Sequence, residues 1–205
     1  MTSIFKNALF GFLTSFALAQ DPTDDIVEEK KPEKPAPAKE ITVIMSTSMG
    51  DIHIELDSKN APITVENFLK YVDSKAYDGT IFHRVIGNFM IQGGGFKEVE
   101  GKLAKQKTNP PIKNESEKTP ANKRGTIAMA RTSVLDSATS QFFINVVDNT
   151  GLNHGGPYGG YATFGKVTKG LEVVDKIKAV KTKVSGMMQN LPVETVTIKS
   201  VKRAK

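Results

Sequence analysis

The chain has 205 residues, 39% of them hydrophobic and 24% charged, a balance that fits one well-buried soluble domain with extensions. It contains no cysteine, which excludes disulfides, thiolate catalysis and cysteine metal sites, and no tryptophan. The formal net charge of +6 comes with no helix-turn-helix or finger spacing and no aromatic ladder among the lysines. A solvated basic surface, suited to anionic envelope components, is therefore the better reading than a nucleic-acid interface.

Residues 1–19 read as an export signal. Lys6 is a short basic start, Ala8 to Leu18 is apolar, and Ala17-Leu18-Ala19 offers a cleavage site before Gln20. The apolar run is shorter than the roughly 20 residues a membrane span needs. The expected location is a bacterial periplasm, with secretion as the alternative. Residues 20–40 carry seven acids against four bases, with Pro32, Pro35 and Pro37 breaking any helix. That composition predicts a disordered, semi-extended tether. The folded domain is expected over 41–205.

Within it, Ile41, Val43 and Met45 alternate with polar neighbours, as do Ile52, Ile54 and Leu56, with Ser48-Met49-Gly50-Asp51 as the hairpin connection. Thr64 is the expected cap of a helix whose Val65, Phe68, Leu69 and Val72 share one face. Strands are expected at 80–86, 89–93, 126–130, 142–147, 163–167 and 195–202, and a second helix at 171–178 with Val173, Val174 and Ile177 inward. Eight short strands with two helices predict a mainly β fold, a closed eight-stranded antiparallel barrel capped by two α-helices. The stretches 97–123 and 148–161 are expected to be surface loops.

Several chemistries fall away. Asp51, His53 and Glu55 share a strand face and could ligate a metal, but the alternation reads better as a wet outer face, so no metal is expected. Gly95 to Lys102 lacks the spacing of a phosphate loop. His83 and His154 lie far apart, with no serine in a nucleophile-elbow context. Asn114-Glu115-Ser116 is a glycosylation sequon with meaning only in a eukaryotic secretory route.

What remains is Phe82-His83-Arg84-Val85-Ile86 followed by Phe89-Met90-Ile91-Gln92-Gly93-Gly94-Gly95-Phe96. An arginine is rarely buried without a partner, because it stays charged and carries five donors. Set among large apolar side chains, Arg84 and Gln92 could frame a greasy pocket with one aimed cation, suited to a small apolar ring next to a carbonyl. Together with Gly125-Thr126-Ile127-Ala128-Met129-Ala130, Gln141-Phe142-Phe143-Ile144 and Phe164-Gly165-Lys166-Val167, in order and spacing, the chain resembles the cyclophilin family of peptidyl-prolyl cis-trans isomerases, in its periplasmic bacterial branch. The likeness spans roughly 41–202.

The resemblance implies the barrel just described and rotation about X-Pro bonds during folding of exported proteins, by a monomer, with neither covalent intermediate nor cofactor. It implies that Arg84 is the catalytic donor and that Gln92 holds it and the substrate backbone. Phe89, Met90, Phe143 and Leu152 would cradle the proline ring, Ala130 and the backbone of Arg131 would line the adjoining groove, and His83 would border the site. Tyr161 stands where the family has a histidine, Arg131 where it has an asparagine, Gly87-Asn88 where it has a proline-glycine turn, and Gly151 where eukaryotic members have a tryptophan. Weak binding of cyclosporin-like cyclic peptides is expected from these departures, with activity kept. The alternatives are a proline-peptide binding module or chaperone with little turnover, and an envelope scaffold acting through its basic surface.

Overall fold

The computed structural model describes residues 41–204, so the expected signal and tether lie outside the described residues. The first two strands follow directly from alternation. β1 (Ile41–Thr47) and β2 (Gly50–Leu56) pair antiparallel, and Val43, Met45, Ile52 and Ile54 are wholly buried, while Asp51 on the other face is exposed. Thr47 ties the turn: its Oγ1 donates to the carbonyl of Gly50 at 2.7 Å and accepts from the Met49 amide at 3.0 Å.

Helix α1 (Pro62–Asp73) starts two residues before the expected cap. Its N-cap is Ala61, which makes no side-chain cap, and Pro62 takes the first-turn place where a missing N–H does no harm. Thr64 is therefore not the cap. The orphan donors instead point at Glu115, 51 residues further along the chain, whose carboxylate accepts from the amides of Ile63 (3.1 Å) and Thr64 (2.8 Å) and from Thr64 Oγ1 (2.7 Å). A carboxylate there satisfies free N–H groups and complements the helix dipole.

The remaining elements are β3 (Thr80–Ile86), β4 (Met90–Val99), β5 (Lys102–Lys105), β6 (Thr126–Met129), β7 (Phe142–Asn145), β8 (Thr163–Lys169), α2 (Leu171–Lys178), β9 (Thr182–Ser185), β10 (Met188–Pro192) and β11 (Thr197–Arg203). The pairing order β3-β11-β1-β2-β8-β6-β7-β4 closes through β4 back onto β3, every pair antiparallel, giving an eight-stranded barrel. β4 runs on to Val99 and, through a turn with Glu100 and Gly101 both at positive φ, forms a hairpin with β5 outside the ring. The 97–123 stretch is thus partly strand. β9 and β10 form a separate two-stranded ribbon that the chain's alternation does not announce.

The barrel interior is one apolar cluster into which both helices send residues: Val65, Phe68, Leu69 and Val72 from α1, Val173, Val174 and Ile177 from α2. Phe68 sits among rings, 5.1 Å from Tyr77, 5.9 Å from Phe142 and 5.0 Å from Phe164.

One irregularity positions the site. Phe82 pairs with Gly93 and Arg84 with Gln92, so two steps along β3 match one along β4. In an unbroken strand Arg84 would share the face of Phe82, which is 0% exposed inside the barrel. The bulge reverses the parity, so that Phe82 and Val85 both face the interior cluster and Arg84 turns outward.

Candidate active site

The outer face of β4, β6 and β7 carries a second apolar cluster, distinct from the interior one. Met90, Ala128, Phe143 and Leu152 are buried there, with Ile86, Phe89, Ala130 and Tyr161 packed against them. Strand alternation builds it: Ile91, Ile127 and Phe142 point into the barrel, and their neighbours Met90, Ala128 and Phe143 point out. Phe143 is therefore wall, not barrel core.

A cavity of about 100 Å³ opens in this cluster, lined by Arg84, Phe89, Met90, Gln92, Ala130, Arg131, Phe143, Leu152 and Tyr161. It has room for one small ring. Nine of the ten residues expected at the site are those nine; His83 alone does not line it. A larger hollow of about 430 Å³ lies over Leu56, Pro120 and Gly165, but it joins no arginine to an aromatic wall. Chemistry, not size, singles out the smaller one.

The polar rim is a short relay. Arg84 Nη1 donates to Gln92 Oε1 at 3.3 Å, and Gln92 Nε2 donates to Gln141 Oε1 at 2.8 Å. Gln92 thus orients the guanidinium and is oriented in turn. Gln141 received no role from sequence, although it opens the Gln141-Phe142-Phe143 run. Glycine opposite it is a spatial demand: a Cβ on Gly95 would stand 2.5 Å from Gln141 Cγ. Past Gln92 and Ala130 the cavity continues into a polar hollow of about 270 Å³ beside Gln106, Ser140 and Gln141.

The family described as "Cyclophilin type peptidyl-prolyl cis-trans isomerase/CLD" matches residues 42–203. The chain belongs to that family. The "Peptidyl-prolyl cis-trans isomerase A" of Dickeya dadantii is 54% identical over 160 residues, covering 78% of this chain and 83% of the relative. "Peptidyl-prolyl cis-trans isomerase B" of Escherichia coli is 52% identical over 162 residues, covering 78% and 97%. A crystal structure of a Cryptosporidium parvum cyclophilin-type isomerase superposes with a TM-score of 0.65 at 24% identity, covering 81% of this chain and 98% of that one. A second crystal structure of that protein, obtained in the presence of the dipeptide Ala-Pro, gives 0.64 at 25% identity, covering 80% and 99%. The activity of this cyclophilin is accordingly peptidyl-prolyl cis-trans isomerisation.

Two of the walls of the cyclophilin cavity come from the 148–161 stretch, which would wander if it were an ordinary loop. Asparagines, buried at 122 and 145 and half-buried at 149 and 153, hold it. Asn122 Nδ2 donates to the carbonyls of Leu152 (3.2 Å) and Tyr161 (3.1 Å), and its amide donates to Asn153 Oδ1 at 2.7 Å. Asn145 Nδ2 donates to Asn122 Oδ1, and Asn149 Nδ2 reaches the Phe89 carbonyl at 2.8 Å. This network sits behind the cavity and fixes the backbone of three lining residues. Its members are scattered in sequence, so no local motif reveals it.

Arg131 works in the same direction. Its guanidinium donates to the carbonyls of Gly160 (Nε 3.1 Å, Nη2 2.9 Å), Thr132 (Nη1 2.8 Å) and Tyr158, and lies 4.3 Å over the Tyr161 ring. Tyr161 meets Phe143 edge-on at 5.7 Å. The side chain of Arg131 is thus committed to holding the 148–161 stretch against the loop after β6.

His83 is buried, 4.8 Å from the Phe96 ring, with Nδ1 lacking a hydrogen-bond partner. Burial foremost, aided by the Arg84 charge, brings its pKa down from 6.5 to about 4. It is a neutral packing residue at physiological pH. Among the described residues no helix is long and apolar enough to cross a membrane.

Proposed function

We propose that this cyclophilin turns X-Pro bonds in exported polypeptides by offering Arg84 to the prolyl nitrogen as the bond twists. Uncatalysed rotation takes tens to hundreds of seconds, because amide resonance must be broken. Bringing it to about a millisecond requires roughly 10⁵-fold, or about 7 kcal/mol. In the twisted state the nitrogen regains a lone pair that the planar amide does not offer. A guanidinium donor aimed there binds the transition state better than either ground state.

One charge-assisted hydrogen bond contributes about 1.5–3 kcal/mol, so Arg84 does not act alone. The walls made by Phe89, Met90, Phe143 and Leu152 keep the ring dry, and the adjoining groove at Ala130 and the Arg131 backbone grips the flanking peptide. No bond is made or broken. Two observations support proline-containing chains as substrates: the small apolar cavity beside an arginine, and the Ala-Pro dipeptide present with the C. parvum relative. The basic, apolar start of the chain and its Ala17-Leu18-Ala19 site support a periplasmic setting.

The observation that carries the mechanism is the Arg84–Gln92 hydrogen bond at the mouth of an apolar cavity. A cis-trans rate assay on a short X-Pro peptide tests it. The expected result is strong acceleration by the wild type and near loss in Arg84→Ala. Equal acceleration by the two proteins would remove Arg84 from the reaction, and binding without acceleration would make the domain a holder of proline segments.

A further inference from the structure

Beside the cavity, the loop after β6 presents apolar side chains to solvent. Val134 is 63% exposed, Leu135 51%, and Tyr158 from the neighbouring loop 63%. Exposed aliphatic and aromatic side chains placed together mark an interaction surface more often than lone ones do. Leu135 and Tyr158 lie along one stretch, with Val134 next to Leu135 in the chain: Leu135 Cδ2 and Arg131 Nη2 both approach Gly159, at 3.1 and 3.4 Å from where its Cβ would stand, and the Tyr158 ring lies 3.6 Å from the corresponding point on Gly151. Gly151 directly precedes Leu152 of the cavity wall, and Arg131 is part of that wall. The patch is continuous with the site.

The loop that carries Val134 and Leu135 is also held in shape. Thr132 and Ser137 hydroxyls meet at 2.8 Å, Ser137 Oγ donates to the Val134 carbonyl at 2.6 Å, and the Val134 amide donates to Thr132 Oγ1 at 3.2 Å. From outside, Asp136 Oδ1 accepts the Asn114 amide at 2.8 Å. Arg131 fastens the Tyr158–Gly160 carbonyls to the same corner. The apolar side chains are thus mounted on a fixed loop, and binding there requires little further ordering.

We propose that Val134, Leu135 and Tyr158 extend the substrate groove and take a large apolar side chain of the same polypeptide whose proline occupies the cavity. The occupant is an unfolded segment with a leucine- or phenylalanine-like residue a few positions from its proline. This rests on the reading of the cavity as the proline site. It adds a preference: exposed apolar stretches, the mark of an unfolded chain, are favoured over polar linkers containing proline.

The test uses two labelled peptides with one alanine-proline core, flanked on both sides by leucine and phenylalanine in one and by serine in the other. Wild type is expected to bind the apolar-flanked peptide about tenfold more tightly, as partial burial of two or three such side chains provides, and to show the gain in KM with kcat unchanged. The double variant Val134→Ser/Leu135→Ser, altered only at exposed positions, is expected to treat both peptides alike within about twofold, while a four-residue peptide too short to reach the loop is turned over as by wild type. Tyr158→Ser should reproduce the loss without touching residues 132–137. Equal binding of both peptides by wild type, or a preference surviving in both variants, overturns the inference and leaves the proline site standing. Failure of wild type to turn over even the four-residue peptide overturns both.

Discussion

The two faces of β4, β6 and β7 carry residues of the same kind to different ends. Inside the barrel, Ile91, Ile127, Phe142 and Ile144 are met on every side by other apolar groups. Outside, Met90, Ala128 and Phe143 are almost as well hidden, Phe143 being 4% exposed against 0% for Phe142, yet Met90 and Phe143 border a cavity with an arginine at its mouth. Burial alone does not separate a core from a site. What separates them is whether the protein fills its own space, and whether a cation that a core would reject has been brought alongside.

The adjacent phenylalanines give the sharpest contrast. Phe142→Ala is expected to lose about 3–5 kcal/mol in denaturant unfolding, because the vacated interior cannot collapse. Phe143→Ala should lose less than half of that, yet lower kcat/KM at least about tenfold. Equal stability losses with equal activity losses would erase the distinction between the faces.

His83, beside Arg84 in the bulged part of β3, belongs to the packing side, and pH reads it. Below about pH 6.5 the unfolded chain takes up a proton that the folded chain refuses until about pH 4. Stability is then full above 6.5 and falls by up to about 3 kcal/mol as pH drops through that window. His83→Phe should flatten this portion of a stability-against-pH curve.

Arg84→Ala addresses the other side: kcat/KM should drop about 10²-fold, equivalent to about 2.7 kcal/mol in the barrier, with the melting temperature hardly moved. The smallest effect is expected at Glu115. Glu115→Gln keeps the shape but removes the charge over the first turn of α1, and should lower stability by about 1 kcal/mol with kcat intact. A kinetic defect there would mean that α1 and the site are coupled.

How much of this was legible in the chain depended on whether the signal was local. The ring strands β1, β2, β3 and β8 show alternation or apolar runs, and α1 and α2 show a one-sided stripe, so barrel and helices follow from pattern. β5 and β9 escaped because Lys102–Lys105 and Thr182–Ser185 are short and mostly exposed, held by their turns and partner strands instead of by a buried face. Six of the nine lining residues fall in contiguous motifs, whereas Arg131, Leu152 and Tyr161 lie outside them and were reached only through the positions that the resemblance implies. Gln141 fell within one of those motifs without a role, and the Asn122–Asn145–Asn149 network acts through contacts between distant segments. Thr64 looked like a cap since nothing in its neighbourhood discloses a carboxylate arriving from Glu115.

Ring closure has a consequence for the company this protein keeps. A sheet with open margins is a template on which unfolded chains add strands, and an enzyme that handles such chains would risk becoming a seed for their aggregation. In the barrel the eight strands use up each other's main-chain groups, and the margins outside the ring, at β5 and on the β9–β10 ribbon, are short and bear Lys102, Lys105 and Lys183, which discourage strand addition. A proline peptide then meets a side-chain slot and one short run of backbone at Arg131, too little to hold it as an added strand would be held.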